Sequence, residues 1–154
     1  MTVRFITDKT EKKSISSNIL HSLPAWFGIP SATANYIEQS AEMPFIAAFE
    51  DNNAIAFIAV KETSPSAVEI YVMGVLPQYH RKGAGKALID SCTAYCKDKG
   101  YALLHVKTLA PSHPDEHYEM TRRFYTAMGF LPLETMKELW DEDNPCLLMV
   151  KPLK

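Results

Sequence analysis

The sequence predicts an α/β chain, an α+β arrangement in which a central mixed sheet of about seven strands is flanked by about four helices. Three observations carry this. Residues 68–75, 83–99 and 101–109 read strand, helix, strand, an order that closes as a right-handed parallel crossover. Strand pairs joined by turn chemistry lie on both sides of that unit, so antiparallel ladders are added to it and the sheet is mixed. Two helical segments precede the first of those pairs.

In chain order, residues 4–7 are a short strand candidate. Residues 11–22 place Ile15, Ile19 and Leu20 at helix spacing, with Leu23 just beyond. Pro24 and Pro30 bound a break that carries Trp26 and Phe27, and Ser31 is a suitable N-cap for a second helix through about Ala41. Residues 45–50 and 54–61 read as a hairpin around Asp51, Asn52 and Asn53. Residues 68–75 are β-branched and mostly apolar, the pattern of a strand buried on both faces. Pro77 ends it. In the helix that follows, Ala84, Ala87, Leu88, Ser91, Cys92 and Tyr95 form an inner stripe, and Gly100 is its C′ residue. Residues 101–109 are a second core strand. Residues 111–114 are a loop, and 115–128 a helix closed by Gly129. Residues 130–136 and 147–151 are the last strands, joined by an acidic stretch, 138–144, that contains Trp140.

The chain has 154 residues, with 47% apolar and 22% charged side chains. It is expected to be a single domain over 1–154, burying roughly two-thirds of its unfolded surface. A net charge of −2 excludes a general basic footprint and so a nucleic-acid partner. No apolar run approaches the ~18 residues of a membrane helix, and residues 1–5 begin no signal-peptide core. The expectation is a cytoplasmic chain with no membrane partner. Cys92, Cys96 and Cys146 are odd in number and lack CxxC spacing. They read as buried thiols rather than disulfide or zinc ligands.

Arg81, Lys82, Gly83, Ala84, Gly85 and Lys86 lie just past the end of a core strand, where a helix begins. Helix N-termini carry unpaired N–H groups and partial positive charge, so they bind phosphates. Glycine allows close approach of a ligand to the backbone. A P-loop requires G-x-x-x-x-G-K-[ST]. Here His80 stands at the first glycine and Ala87 follows Lys86, so no hydroxyl is available for magnesium. A dinucleotide turn requires G-x-G-x-x-G, and Leu88 stands at its last glycine. What these rules leave open is another phosphate-holding turn, or a glycine-softened turn before an amphipathic helix.

The run His80-Arg81-Lys82-Gly83-Ala84-Gly85 resembles the acyl-CoA-binding motif of the GNAT superfamily of N-acetyltransferases, commonly written [Q/R]-x-x-G-x-[G/A]. The preceding Val75-Leu76-Pro77 and the later Phe124-Tyr125, followed by Gly129-Phe130, also match the family, as does the order of elements along essentially the whole chain. The resemblance implies a GNAT-like fold and transfer of an acetyl group from acetyl-CoA to a primary amine, by direct attack in a ternary complex. It implies that Met73, Gly74 and Val75 form the splayed strand end that pairs with the pantetheine arm and thioester, and that residues 80–86 hold the pyrophosphate. Two positions depart from the pattern. His80 stands where Gln or Arg is usual, and Tyr118 where many members have an Asn touching pantetheine. Gly74 also reads as a small residue packing against a helix.

Tyr125 matches the family's tyrosine general acid, whose phenol protonates the departing thiolate. Glu69 lies in an otherwise apolar strand, where an unpaired carboxylate would be costly. It occupies the position where some members place a general base; the other reading is a strand-edge carboxylate facing solvent or paired to Lys61. Trp26, Phe27 and Trp140 are candidate walls of an acceptor pocket. With Glu138, Asp141, Glu142 and Asp143 they suit an amine-bearing cation, hence a small polyfunctional or aromatic amine; the alternative is that the tryptophans fill core. His113 and His117 are four apart without a third ligand, which points away from a metal. His105 reads as a structural histidine, and Arg122 and Arg123 either reach the cofactor or form a solvated helix face. Two further functions stay open: an acyl-CoA sensor without efficient chemistry, and a protein acetyltransferase. Dimers are frequent in the family, so a homodimer is admitted.

Overall fold

β-branched and alternating runs become strands, and 3.6-period runs become helices, in the computed structural model, which describes residues 1–141 and 143–154. The elements are β1 (Thr2–Ile6), α1 (Lys9–His21), α2 (Pro30–Ser40), β2 (Phe45–Glu50), β3 (Asn53–Ser64), β4 (Ala67–Val75), a 3₁₀ turn (Pro77–Tyr79), α3 (Ala84–Asp98), β5 (Leu103–Leu109), α4 (Glu116–Ala127), β6 (Leu131–Asp141) and β7 (Asn144–Pro152). Seven strands form one mixed sheet in the order β1-β2-β3-β4-β5-β7-β6. The pairs β1–β2, β2–β3, β5–β7 and β6–β7 are antiparallel. The chain divides into two compact units, one of residues 1–61 and 70–95, the other of residues 62–69 and 96–154.

The first unit is built on α1 and the β2–β3 hairpin. Asp8 caps α1 through the Glu11 amide at 2.9 Å. Ile15, Ile19, Leu20 and Leu23 bury one stripe of it against Phe45, Phe57 and Val72. The hairpin turn needs left-handed backbone, which Asp51 and Asn52 supply with φ of 49° and 67°. Lys12 is buried, and its ammonium donates to the Met43 carbonyl at 2.7 Å and to that of Ala41 at 3.4 Å. A cation is thereby placed at the carbonyl end of α2; burial pushes its pKa down.

Several boundaries differ from the sequence-based expectation. α2 starts at Pro30, with Ile29 rather than Ser31 at the N-cap, because proline at the first helical position has its φ preset and no N–H to lose. The inner stripe of α3 is wider than expected: Ile89 and Cys96 are fully buried, whereas Ala87, Ser91 and Tyr95 are partly covered. Gly100, with φ of 86°, ends the region as expected, and its amide bonds to the Lys97 carbonyl.

In the second unit, Asp115 caps α4 by accepting from the His117 and Tyr118 amides. Gly129 (φ 94°) follows its C-terminus. The acidic stretch is not a long loop. β6 continues to Asp141 and β7 begins at Asn144, whose side-chain amide donates to both Asp141 carboxylate oxygens. Glu142 lies outside the described residues. β6 is an edge strand, and its pairing with β7 shifts register between Met136 and Asp141. Among the described residues no helix is long and apolar enough to cross a membrane.

Candidate active site

In the first unit, strand alternation turns Tyr71, Met73 and Val75 to one face of β4 and Val72 and Gly74 to the other. The Gly74 side meets α1: a Cβ there would stand 3.0 Å from Ile19 Cγ2 and 3.1 Å from Leu23 Cδ1. Glycine therefore lets this packing be close, and a larger residue would make Ile19 and Leu23 give way. Met73 and Val75 remain half-buried at the strand end.

The turn from His80 to Gly83 bends through left-handed backbone twice, at Arg81 (φ 62°) and Gly83 (φ 89°). Nothing lies within 4 Å of where a Gly83 side chain would be, so the glycine serves backbone conformation and not packing. The Gly83 carbonyl accepts from Ala87 at 3.0 Å and starts α3. The amides of Ala84, Gly85 and Lys86 then have no acceptor a turn behind them in the helix. The first turn of α3 holds no acidic residue to compete for that positive end. Arg81, Lys82 and Lys86 are exposed. Lys82 lies 5.8 Å over the Tyr79 ring, and Lys86 pairs with Asp90 at 2.6 Å. These amides and cations fit a pyrophosphate.

His80 is tied on two sides. Its Nε2 donates to the Val75 carbonyl at 2.8 Å, and its ring meets that of Trp26 edge-on at 5.7 Å. Trp26 and Phe27 are half-buried against the core of this unit. The aromatic run continues from Phe27 to Tyr36 and from Tyr36 to Tyr71, with centroids 5.7 and 5.3 Å apart. Sequence reading did not find Tyr36 and Tyr71; their signal was an aromatic in the second helix and another on the exposed side of a core strand.

In the second unit, Glu69 is 5% exposed and accepts from Lys107 Nζ at 2.6 Å. Of the expected alternatives for Glu69, a solvent-facing carboxylate is corrected by this burial; the Lys61 ammonium lies 5.1 Å over the Tyr71 ring. Each of β4 and β5 carries one charged side chain in an apolar run, and that symmetry was the missed signal for Lys107. Cys146 is fully buried, and burial pushes its thiol pKa up, with the Lys107 and Glu69 charges acting on it in opposite senses.

Tyr125 is the buried residue of α4 and meets Phe130 edge-on at 5.3 Å. Burial, then the charge of the neighbouring Tyr118, pushes its phenol well above the ordinary value. It therefore holds its proton throughout the physiological range. Arg122 donates to the Leu109 carbonyl at 2.6 Å, and Arg123 forms an exposed pair with Glu119. An open groove of about 1020 Å³ runs along that outer face of α4, lined by Pro111, Asp115, Glu119, Arg122 and Arg123 among others. It contains none of the residues singled out for catalysis or donor binding. Trp140 is 45% exposed on β6. His105 bonds to Thr63 at 2.8 Å and His113 to the Asp143 carbonyl at 2.6 Å. No group of three metal-ligating side chains forms among the described residues.

The sequence matches the acetyltransferase (GNAT) family over residues 15–130. That is more than half of the chain, and the chain belongs to this family. Solved structures agree on the fold. An aminoglycoside 6'-acetyltransferase type Ii superposes with a TM-score of 0.80 at 18% identity, covering 100% of this chain and 98% of that one. An aminoglycoside 6'-N-acetyltransferase complexed with coenzyme A gives 0.76 at 14% identity, with coverage of 100% and 98%. The ribosomal-protein-S18-alanine N-acetyltransferase of Escherichia coli gives 0.75 at 15%, with coverage of 99% and 95%. No curated protein matches the chain by sequence.

Proposed function

We propose that the whole chain, 1–154, acts as one N-acetyltransferase domain moving an acetyl group from acetyl-CoA to a primary amine of a small molecule. The observation that carries the donor assignment is the turn at residues 80–86, in which two positive-φ residues lead into a helix start with free amides and no acid. A neighbouring fold whose structure holds coenzyme A supports the same donor.

Bound acetyl-CoA supplies a thioester whose carbonyl carbon is open to attack by the amine. The amides of 84–86, with Arg81, Lys82 and Lys86, hold the diphosphate. Met73 and Val75 offer backbone groups at the strand end for the pantetheine arm, and Tyr118 presents a phenol from α4. Glu69, oriented by Lys107, takes the ammonium proton, directly or through water. That leaves the amine neutral and nucleophilic. Tyr125, protonated by virtue of its burial, gives its proton to the departing thiolate. All three described cysteines are free and buried, so attack is direct rather than through a thioester on the chain. Trp26, Phe27 and Trp140 supply aromatic surface to an amine-bearing acceptor.

The test is thiol release from acetyl-CoA across a panel of aminoglycosides, polyamines, arylalkylamines and peptides. Turnover of a small amine is expected. Turnover confined to peptides would replace the acceptor class, and tight coenzyme A binding with no turnover on any member would make the chain a sensor.

A further inference from the structure

Trp26 and His80 are far apart in sequence and belong to different parts of the proposed chemistry, one on the acceptor side and one at the donor turn. They touch. The His80 ring stands edge-on to the indole at 5.7 Å and 84°, while its Nε2 holds the Val75 carbonyl at 2.8 Å. His80 immediately precedes Arg81, the first of the two positive-φ residues. The ring is half-buried, so it does not swing freely. In the loop it meets, the Trp26 and Phe27 amides both bond to the Leu23 carbonyl, at 3.1 and 2.9 Å, and the Phe27 carbonyl accepts from Thr33 at 3.2 Å, while the residues on either side, Pro24, Ala25, Gly28 and Ile29, are exposed.

We infer that His80 is a positioning residue that transmits donor occupancy to the Trp26 loop, so that coenzyme A binding at the turn sets the acceptor-side aromatic surface. The inference rests on the donor-site reading given above. A diphosphate held by the amides that follow Arg81 fixes the backbone on one side of His80, and the Val75 carbonyl fixes the imidazole on the other. Between these two anchors the ring stands edge-on to the indole. A glutamine at this position keeps an N–H donor for the Val75 carbonyl but has no ring to set against Trp26. The histidine therefore adds a contact to the acceptor side without giving up the one to the strand.

Hydrogen exchange at the Trp26 and Phe27 amides reads the opening of this loop. It is measured with and without saturating coenzyme A in the wild-type chain, in His80→Gln and in His80→Phe; calorimetry defines saturation for each. In the wild type, coenzyme A is expected to slow exchange at both amides about threefold to tenfold, the range an aromatic edge contact supports. His80→Gln, which loses the ring, and His80→Phe, which loses the bond to Val75, are both expected to bind coenzyme A without slowing these amides. Equal slowing in either variant overturns the inference. A wild-type chain that gives no calorimetric signal with coenzyme A overturns the donor-site reading itself.

Discussion

The proposed donor turn and the trio of Glu69, Lys107 and Tyr125, two of them buried, are built on opposite plans. The turn works through its backbone. Arg81, Lys82 and Gly83 are exposed, and what matters is the path of the chain: two left-handed residues, then helix amides. The trio works through side chains. Glu69 and Tyr125 are 5% and 7% exposed; Glu69 accepts from Lys107, and Tyr125 packs edge-on against Phe130. A site made of backbone tolerates side-chain change and fails when φ is forced. A site made of buried side chains tolerates almost none.

The largest expected effect is at Tyr125. Tyr125→Phe keeps the ring against Phe130 and removes the proposed proton donor, so kcat should fall by about a hundredfold or more, with little change in acetyl-CoA affinity. Unchanged turnover takes Tyr125 out of the mechanism. The same variant checks the burial argument independently. A phenol whose pKa is raised in the folded chain contributes stability that is complete below the ordinary value of about 10 and is lost as pH climbs beyond it. Wild-type stability in urea should therefore fall more steeply above that pH than that of Tyr125→Phe.

Next comes the pair. Glu69→Gln leaves the Lys107 ammonium without its 2.6 Å partner. Breaking a fully buried pair costs about 3–5 kcal/mol, but the Lys107 side chain is 33% exposed and water makes up part of the loss. A destabilisation of about 1–2 kcal/mol is expected from urea midpoints. If stability is untouched while the acidic limb of the rate profile moves, Glu69 is a base and the pair is incidental.

On the turn, Gly83→Ala meets no neighbour within 4 Å, so any effect is conformational. At φ of 89° an alanine costs about 1 kcal/mol, and coenzyme A affinity should weaken with it, by calorimetry. Lys82→Ala, which leaves the backbone path intact, should weaken it less. The opposite ranking would mean that the site depends on cations and not on the chain path.

The same division explains what the sequence disclosed. The turn was legible because backbone function needs particular residue types at fixed local spacing: Gly83 and Gly85 just past a strand that Pro77 ends. The strand order followed from hydrophobic period and turn residues such as Asp51 and Asn52. The pairing of Glu69 with Lys107 was not legible. Lys107 is 38 residues away, and a pairing between strands depends on register, which no local pattern specifies. The reach of β6 to Asp141 was missed for a related reason: an edge strand exposed along nearly its whole length has no buried face to impose alternation.

The smallest expected effect falls on Trp140, which looked equivalent to Trp26 in sequence and is not. Trp26 is half-buried, packs on the core of its unit and meets His80. Trp140 is 45% exposed on the edge strand, in a stretch where pairing with β7 slips register. Trp26→Ala should cost about 2 kcal/mol of stability, short of the full core truncation value because the ring is only partly covered. Trp140→Ala should stay within about 0.5 kcal/mol. An indole that contributes nothing to folding yet remains exposed beside acids is free to be judged on binding alone. If Trp140→Ala leaves both stability and acceptor KM unchanged for a validated amine, the acceptor surface belongs to Trp26 and its neighbours Phe27, Tyr36 and Tyr71. If KM rises, Trp140 is retained for the acceptor alone.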